Sequence, residues 1–199
     1  MSLRRLLVPD LYLASVLELD PGLLRSHGIR GVILDLDNTL VRWNHPQPGD
    51  DLRGWLERLG GAGLRACIVS NNGPERVDPF ARTLGVPAIA KAGKPRRRAY
   101  RRAMALMGTA SPETAVVGDQ IFTDILGGKR LGLFTVLVAP ISRREFVGTR
   151  LVRLLEGAWL AYLRRRGLLR CPGGGRPAPR GPGSPQGTQA GKGRGPANI

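Results

Sequence analysis

The sequence predicts an α/β protein built on a doubly wound, parallel, five-stranded sheet, and three observations support this class. Short apolar runs alternate with segments in which apolar residues recur at helical spacing, so each strand is followed by a helix. Such alternation favours parallel strands joined by right-handed crossovers. Polar motifs follow the apolar runs, and open α/β sheets carry their reactive groups at these carboxyl ends.

The predicted strands and helices can be placed in order along the chain. The strands cover residues 31–37, 65–70, 87–90, 114–119 and 134–140. Apolar residues at i, i+3, i+4 and i+7 predict helices over residues 52–59, 77–84 and 100–107, with a short fourth helix over 121–127. A last helix over 144–165 has one predicted apolar face, formed by Val147, Leu151, Leu154, Leu155, Ala158 and Tyr162, with arginines around it.

The C-terminal residues differ in composition from the rest of the chain. Residues 167–199 are rich in Gly and Pro and poor in large apolar side chains, which predicts a disordered basic tail. With 42% hydrophobic residues in a chain of 199, the preceding residues 1–166 are predicted to form a single domain with one core.

The charge balance points to acidic partners. The chain has 31 Lys and Arg against 15 Asp and Glu, a formal net charge of +16, and the excess is largely C-terminal. Such a balance favours nucleic acid or an anionic membrane surface as a partner. No run of about twenty apolar residues and no signal peptide is found, so we expect a cytoplasmic protein, peripheral at the membrane inner face if it binds lipid. Cys67 and Cys171 belong to no CxxC pair, which argues against a disulfide framework and a zinc site.

Two carboxylates close the first predicted strand, in VILDLDNTLV at 32–41. Burying a carboxylate costs stability, on the order of several kcal/mol, unless a counter-charge or a hydrogen-bond donor pairs with it. Asp35 and Asp37 have the spacing that phosphoryl transfer needs, in which one carboxylate attacks phosphorus and the second protonates the leaving oxygen. Taken alone, such a pair more often has no catalytic role: one Asp caps a turn and the other is exposed to solvent.

Three further polar motifs follow later strands. Ser70 and Asn71 end the second strand in VSNN, and Ser70 offers a hydroxyl to a phosphate oxygen. Lys94 in AGKP is placed to neutralise a phosphate, with Lys91 as a rival three residues earlier. Each motif alone has an ordinary explanation, a turn former or a solvated lysine.

The fourth strand ends in VGDQIFTD, with two acids. Asp119 and Asp124 would complete an oxygen-rich site for Mg²⁺, a hard ion that prefers carboxylates and water. Capping of the short following helix is the plain alternative, for Asp119 especially. In the usual strand order of this topology the first and fourth strands are neighbours, so Asp35 and Asp119 are expected to meet, with Mg²⁺ offsetting their repulsion.

Joined in this order, DLDNTLV, VSNN, AGKP and VGDQxxTD resemble the haloacid dehalogenase (HAD) superfamily, and in detail its YqeG-type class IIIA phosphatases. The resemblance implies a HAD-like Rossmannoid fold. It implies that Asp35 is the nucleophile, that Asp37 is the general acid/base and a metal ligand through its carbonyl, and that Asp119 is the second carboxylate on Mg²⁺. By the same resemblance the phosphate is bound by Thr39, Ser70, Asn71 and Lys94, with Asp124 in support.

The spacing leaves no room for an inserted cap domain, which favours a bulky or surface-bound substrate. Trp43 and His45, in the segment that leaves the first motif, are candidate substrate contacts. We therefore predict a Mg²⁺-dependent phosphomonoesterase that works through an aspartyl-phosphate. Resemblance to relatives acting on phosphatidylglycerophosphate makes a lipid phosphate the expected substrate. The alternatives are a nucleotide or nucleic-acid-end phosphatase and a non-catalytic module that binds RNA or the ribosome; the sequence indicates no oligomeric state.

Overall fold

The structure, a computed structural model, describes residues 3–42, 45, 47–142, 150–167 and 169. Side chains are described from residue 5 onward, and again from 155 after the gap that follows 142. Trp43, predicted as a substrate contact, lies outside the described residues, as does nearly all of the predicted tail. Leu169 is described and is 7% exposed, so packed chain is found three residues beyond the predicted boundary at 166.

The core of the protein is a parallel sheet of six strands. The strands are β1 (Leu11–Leu13), β2 (Gly31–Leu34), β3 (Arg65–Val69), β4 (Ala88–Ile89), β5 (Thr114–Gly118) and β6 (Phe134–Val138). Their order across the sheet is β1-β6-β5-β2-β3-β4, and every neighbouring pair is parallel. The doubly wound parallel sheet is confirmed, whereas the predicted number of five strands is wrong by one.

The additional strand is β1, at the edge of the sheet. With three residues paired to β6 from Leu11 opposite Val136, it is too short to show the alternating pattern of a strand. A side chain fixes its start: the Asp10 carboxylate accepts hydrogen bonds from the Thr135 backbone N–H at 2.8 Å and from the Thr135 hydroxyl at 2.9 Å. The edge strand is thus held partly by a side chain.

Helices cover both faces of the sheet. They are α1 (Leu3–Leu6), α2 (Pro21–Ser26), α3 (Asp50–Gly61), α4 (Pro74–Leu84), α5 (Arg97–Met107), α6 (Leu126–Lys129) and α7 (Arg150–Arg165). Because successive strand residues point to opposite faces, Val32 and Leu34 of β2 pack in one apolar cluster with Trp55, while Ile33 packs in the other with Tyr100. None of the helices described combines the length and apolar content needed to cross a lipid bilayer.

The buried face of α7 differs from the predicted one. Of the predicted apolar face, Val147 and the side chains of Leu151 and Leu154 lie outside the described part of the chain, and Tyr162 is half-buried. The prediction is wrong at Leu155, which is 56% exposed, and at Ala158, which is exposed, whereas Glu156 and Leu163 are buried. The helix packs against the first residues of the chain and against the segment after β5. Its Trp159 indole N–H donates to the Leu7 carbonyl at 2.9 Å. The sequence pattern did not reveal this face because a buried acid, Glu156, interrupts it.

The strand order reverses at β2, which lies between β3 and β5. From β2 the chain moves outward through β3 and β4, then returns to β5 on the other side. The carboxyl ends of β2 and β5 are therefore adjacent at the switch point, where α/β sheets bind ligands. In the described chain, a turn and α3 fill the interval between β2 and β3, and α4 fills that between β3 and β4, so no cap domain is inserted there.

Candidate active site

The turn after β2 presents the two carboxylates of the first motif. The Asp35 N–H donates to Val117 O at 2.9 Å, so pairing with β5 continues beyond the strand end. The chain then closes a tight turn, in which the Leu40 N–H donates to Leu36 O at 2.9 Å and Asn38 has φ of 63°. Asparagine tolerates this left-handed conformation better than most residues. The turn holds Asp35 against β5, with Asp37 on the side of β3.

Three buried carboxylates meet at the switch point. Oxygen atoms of Asp35, Asp119 and Asp124 all lie within 4.8 Å of one another. The three residues are 8%, 4% and 1% exposed, respectively. They come from the end of β2, the end of β5 and the π-helical turn Ile121–Ile125. The structure therefore brings Asp35 and Asp119 together, as the strand order predicted, and the Asp37 carboxylate is not one of the three.

Lys94 bridges two of these carboxylates. Its Nζ lies 2.5 Å from Asp35 Oδ1 and 2.7 Å from Asp124 Oδ1. Burial alone would lower the pKa of Lys94, but the charges of Asp124 and Asp35 outweigh it and hold the pKa above its usual value. Lys91 is exposed, so of the two candidate lysines it is Lys94 that enters the cluster.

Lys94 does not bring the pKa of Asp124 down to its usual value. Burial raises the pKa of Asp124 to about 6; the charge of Lys94 opposes this rise, and the nearby charge of Asp35 adds to it. The three carboxylates of the cluster lie around one ammonium, which contacts two of them. Close carboxylate oxygens suit a hard divalent cation. The donor set therefore fits Mg²⁺.

The remaining predicted phosphate ligands surround this cluster. Thr39 is 1% exposed and its hydroxyl donates to Asp119 Oδ1 at 3.4 Å. Ser70 is 2% exposed and its Oγ accepts from the Asn72 N–H at 3.2 Å. The Asn71 side chain is engaged by the backbone of Lys94, accepting from its N–H at 2.7 Å. Asn71 thus fixes the loop that carries the lysine.

Close packing under the π-helical turn holds Asp124. A side-chain Cβ at Gly118 would lie 2.3 Å from Asp124 Cγ, so glycine is needed there. The buried Tyr100 hydroxyl donates to Thr123 O at 2.9 Å, and burial raises the pKa of this phenol above its usual value. From outside, Glu156 of α7 accepts from the Phe122 N–H at 3.2 Å. Helices α5 and α7 therefore brace the turn.

Asp37 is held by two residues that the predicted set of site residues did not include. Asn72 Nδ2 donates to Asp37 Oδ2 at 2.6 Å, and Arg76 Nη2 lies 2.7 Å from Asp37 Oδ1. Arg76 lies in the first turn of α4, where the helix dipole disfavours a cation. A basic residue at such a position signals an acidic partner, but the sequence does not say which acid.

A cavity of about 420 Å³ lies beside the site, at the same edge of the sheet. Thr39 and His45 both line it, together with Leu17, Leu40, Arg42 and Ile141. His45 is exposed, and its Nδ1 lies 2.8 Å from Gln47 O. The predicted substrate contact His45 therefore faces a space that adjoins the acidic cluster through Thr39.

The chain is similar to known phosphatases. A sequence model of the HAD-hydrolase-like family matches residues 91–140. The chain is 38% identical over 165 residues to the probable phosphatase YqeG of Bacillus subtilis, covering 83% of this chain and 96% of that protein. It is 31% identical over 169 residues to the chloroplastic phosphatidylglycerophosphate phosphatase 1 of Chlamydomonas reinhardtii, covering 78% of this chain but only 62% of that longer protein.

Among solved structures, the 3-deoxy-D-manno-octulosonate 8-phosphate phosphatase of Yersinia pestis matches with a TM-score of 0.46 at 16% identity, over 74% of this chain and 90% of that one. The match to YqeG extends over nearly the whole of that protein and includes all four motifs of the site. The chain belongs to the HAD phosphatases, in the family of YqeG.

Proposed function

We propose that the chain is a Mg²⁺-dependent phosphomonoester hydrolase that works through an aspartyl-phosphate on Asp35. One observation carries the proposal: the buried cluster in which Asp35 meets Asp119 and Asp124 while Lys94 bridges two of them. A binding module would not need an ammonium and three carboxylates enclosed at the switch point, because burying them costs stability.

The proposed reaction has two steps. An oxygen of Asp35 attacks phosphorus as the bond to the leaving oxygen breaks, and Asp37 gives that oxygen a proton. Asp37 then takes a proton from water as the water oxygen attacks phosphorus, which releases phosphate and restores the Asp35 carboxylate. A magnesium ion held by Asp35, Asp119 and the main-chain carbonyl of Asp37 would supply positive charge against the phosphate oxygens.

The other site residues receive roles from their positions. Lys94 would move its ammonium from sharing two carboxylates to contacting the phosphate as well, with Asp124 keeping it in place. Thr39 and Ser70 would donate their hydroxyls to phosphate oxygens. Direct phosphate binding by Asn71 stays a prediction, because its side chain is engaged by the Lys94 backbone here.

We infer that the substrate is a bulky phosphomonoester, with a lipid phosphate such as phosphatidylglycerophosphate as the first candidate. The site has no cap in the described chain to enclose a small molecule, and an adjoining cavity carries apolar side chains at Leu17 and Ile141. The name of the Chlamydomonas relative supports the lipid, although the chain spans under two thirds of that protein.

The test is a panel of lipid, nucleotide, nucleic-acid-end and sugar phosphomonoesters, assayed with Mg²⁺. Wild type should release phosphate, and fastest from the lipid; the variants Asp35→Asn and Asp37→Asn should be inactive or strongly impaired. Asp78→Asn, an exposed acid on α4, is the matched control and should behave as wild type. Hydrolysis that persists unchanged in Asp35→Asn would remove the nucleophile, and equal rates on small sugars would remove the bulky substrate.

The membrane prediction rests on the basic end of α7, where Arg164 and Arg165 are exposed and are followed by the exposed Arg166. Leu155, earlier in the helix, is also exposed. Each basic residue near an anionic surface adds about 1 kcal/mol of attraction. Flotation with anionic liposomes at moderate salt should recover the protein, and neutral liposomes should not. Deletion of the residues after 170 should leave turnover of soluble substrates unchanged if residues 1–166 form the enzyme domain; loss of folding would contradict that boundary.

A further inference from the structure

A cation outside the four sequence motifs holds the Asp37 carboxylate. Arg76 donates to Asp37 Oδ1 from Nη2 at 2.7 Å and from Nε at 3.2 Å. The side chains of Arg76 and Asp37 are 20% and 11% exposed, so the pair is largely removed from water. A partly buried pair of this kind is screened less than a surface salt bridge.

The position of Arg76 is unfavourable by itself. It lies in the first turn of α4, where the partial positive charge of the helix end repels a cation. Its guanidinium stacks over the Phe80 ring, with Cζ 4.6 Å from the ring centroid. The stacking and the pairing with Asp37 offset the repulsion, and together they fix the plane of the guanidinium.

The same guanidinium also binds the backbone after the first motif. Its Nη1 donates to His45 O at 2.5 Å and its Nη2 donates to Arg42 O at 3.3 Å. Arg42 and His45 both line the cavity beside the site. One planar group thus joins the Asp37 carboxylate to the wall of the space next to it, which a single ammonium could not do with the same geometry.

The second oxygen of Asp37 is held from the loop after β3. Asn72 Nδ2 donates to Asp37 Oδ2 at 2.6 Å. With Arg76 on Oδ1 and Asn72 on Oδ2, both carboxylate oxygens have a donor, so the side chain has a defined orientation. The acid is therefore held from the loop and helix that follow β3.

We propose that Arg76 is a positioning residue: it holds the Asp37 carboxylate where it can exchange a proton with the leaving oxygen, and it links this carboxylate to the cavity wall at Arg42 and His45. The inference rests on the proposed function, since it assigns Arg76 to the proton-transfer half of that reaction. Arg76 touches neither the reacting phosphorus nor the proposed magnesium ligand Asp119, and it acts through Asp37.

The leaving group decides how much this positioning matters. An aliphatic alkoxide is a poor leaving group, so breaking its P–O bond requires the proton from Asp37. A p-nitrophenolate leaves without one. The value of kcat/KM reports the steps up to and including the first irreversible one, which here is phosphoryl transfer to Asp35. For each ester it therefore shows how strongly this transfer depends on a proton from Asp37. Misplacing the acid should slow the two esters unequally.

The experiment compares Arg76→Gln and Arg76→Lys with wild type on two esters, p-nitrophenyl phosphate and the aliphatic ester that wild type hydrolyses fastest. Arg76→Gln should lower kcat/KM by about 10- to 100-fold on the aliphatic ester and by less than about 3-fold on the aryl ester. Arg76→Lys keeps the charge but spans fewer acceptors, and should lie between. Arg82→Gln, the same change at an exposed site of α4, should match wild type within about 2-fold on both esters.

Equal losses on both esters, or no loss, would overturn the inference, because they would mean that Arg76 acts on binding or folding and not through the acid. Melting temperatures of all variants identify a folding defect; if Arg76→Gln does not fold, Arg76→Lys is judged by the same ratio of losses. The variant Asp37→Asn distinguishes failure of the inference about Arg76 from failure of the proposed function. If Asp37→Asn shows no selective loss on the aliphatic ester, Asp37 is not the general acid and that part of the proposed function fails. If Asp37→Asn shows the selective loss and the Arg76 variants do not, only the role of Arg76 fails.

Discussion

Removal of the ammonium at the centre of the carboxylate cluster should cost more stability than removal of any other paired lysine in the described chain. Lys94→Met keeps the length of the side chain but leaves the carboxylates of Asp35 and Asp124 without their shared partner, at contacts of 2.5 and 2.7 Å. Breaking a buried pair by removing one member costs about 3–5 kcal/mol, because an uncompensated charge stays buried. In a protein of this size that is a large part of the total stability.

Lys129→Met is the matched control. Lys129 Nζ also lies 2.5 Å from a carboxylate, that of Asp10, but the Asp10 side chain is 34% exposed and water can replace the lysine. Such a pair contributes about 0–1 kcal/mol. The two substitutions are therefore the same chemical change, and each removes a contact of 2.5 Å to a carboxylate. They differ in burial and in the number of carboxylates left behind, two for Lys94 and one for Lys129.

The pH dependence gives a second readout. Asp124 has a pKa of about 6 against the usual 3.8, so the folded protein binds a proton more readily than the unfolded chain between these values. This group therefore makes stability fall as pH rises from about 4 to 6. Lys94 lowers the pKa of Asp124, so the Lys94→Met variant should extend the fall to higher pH and lose more stability at pH 8 than at pH 5.5.

Urea denaturation in EDTA, at both pH values, measures the free energies of unfolding of wild type and the two lysine variants. EDTA is needed because a bound divalent ion would compensate the carboxylates in place of Lys94. A loss for Lys94→Met no larger than that for Lys129→Met, or a loss that does not change with pH, would refute the description of Lys94 as the buried counter-charge of Asp35 and Asp124.

Three further outcomes are expected. Mg²⁺ at about 100 times its dissociation constant should stabilise wild type by about 2.7 kcal/mol and raise its melting temperature by roughly 5–10 °C, and Asp119→Asn should lose most of this rise; an equal rise in the variant would contradict the metal site. Burial raises the pKa of Cys67 to about 12, so peptide mapping should find this thiol unlabelled by thiol reagents at pH 8 until the protein is denatured. Gly127→Ala should lower the free energy of unfolding by about 1–3 kcal/mol, because a Cβ there would lie 2.5 Å from the Tyr100 hydroxyl oxygen. The control Gly60→Ala on α3 should not lower it, because a Cβ at Gly60 would have no atom within 4 Å.

The candidate site was predictable where strand ends determine it. Asp35 and Asp119 follow strands that the doubly wound order makes neighbours, so their meeting follows from topology alone. The family resemblance selected Lys94 over Lys91, and burial of Lys94 agrees. These residues are found because the backbone of a parallel sheet places them, whatever the helices do.

Residues placed by packing escaped prediction. Arg76 reaches Asp37 across 39 positions of sequence, and no local pattern gives that pairing. The strand β1 is too short for a periodic signal, and its pairing depends on Asp10 and Thr135, which are 125 positions apart. On α7 the buried Glu156 breaks the apolar pattern because it bonds to the turn that carries Asp124. Long-range polar contacts of this kind are decided by the three-dimensional arrangement.

The contact between α7 and the π-helical turn has a consequence for the order in which the enzyme is completed. Glu156 binds the turn at Phe122, and Trp159 of the same helix binds Leu7 near the start of the chain. On the ribosome, every side chain assigned to the proposed reaction emerges well before this helix does. A nascent chain therefore carries all of these groups while the support that α7 gives to the turn of Asp124 is still missing, and the site is complete only when the last helix packs onto the first residues of the chain.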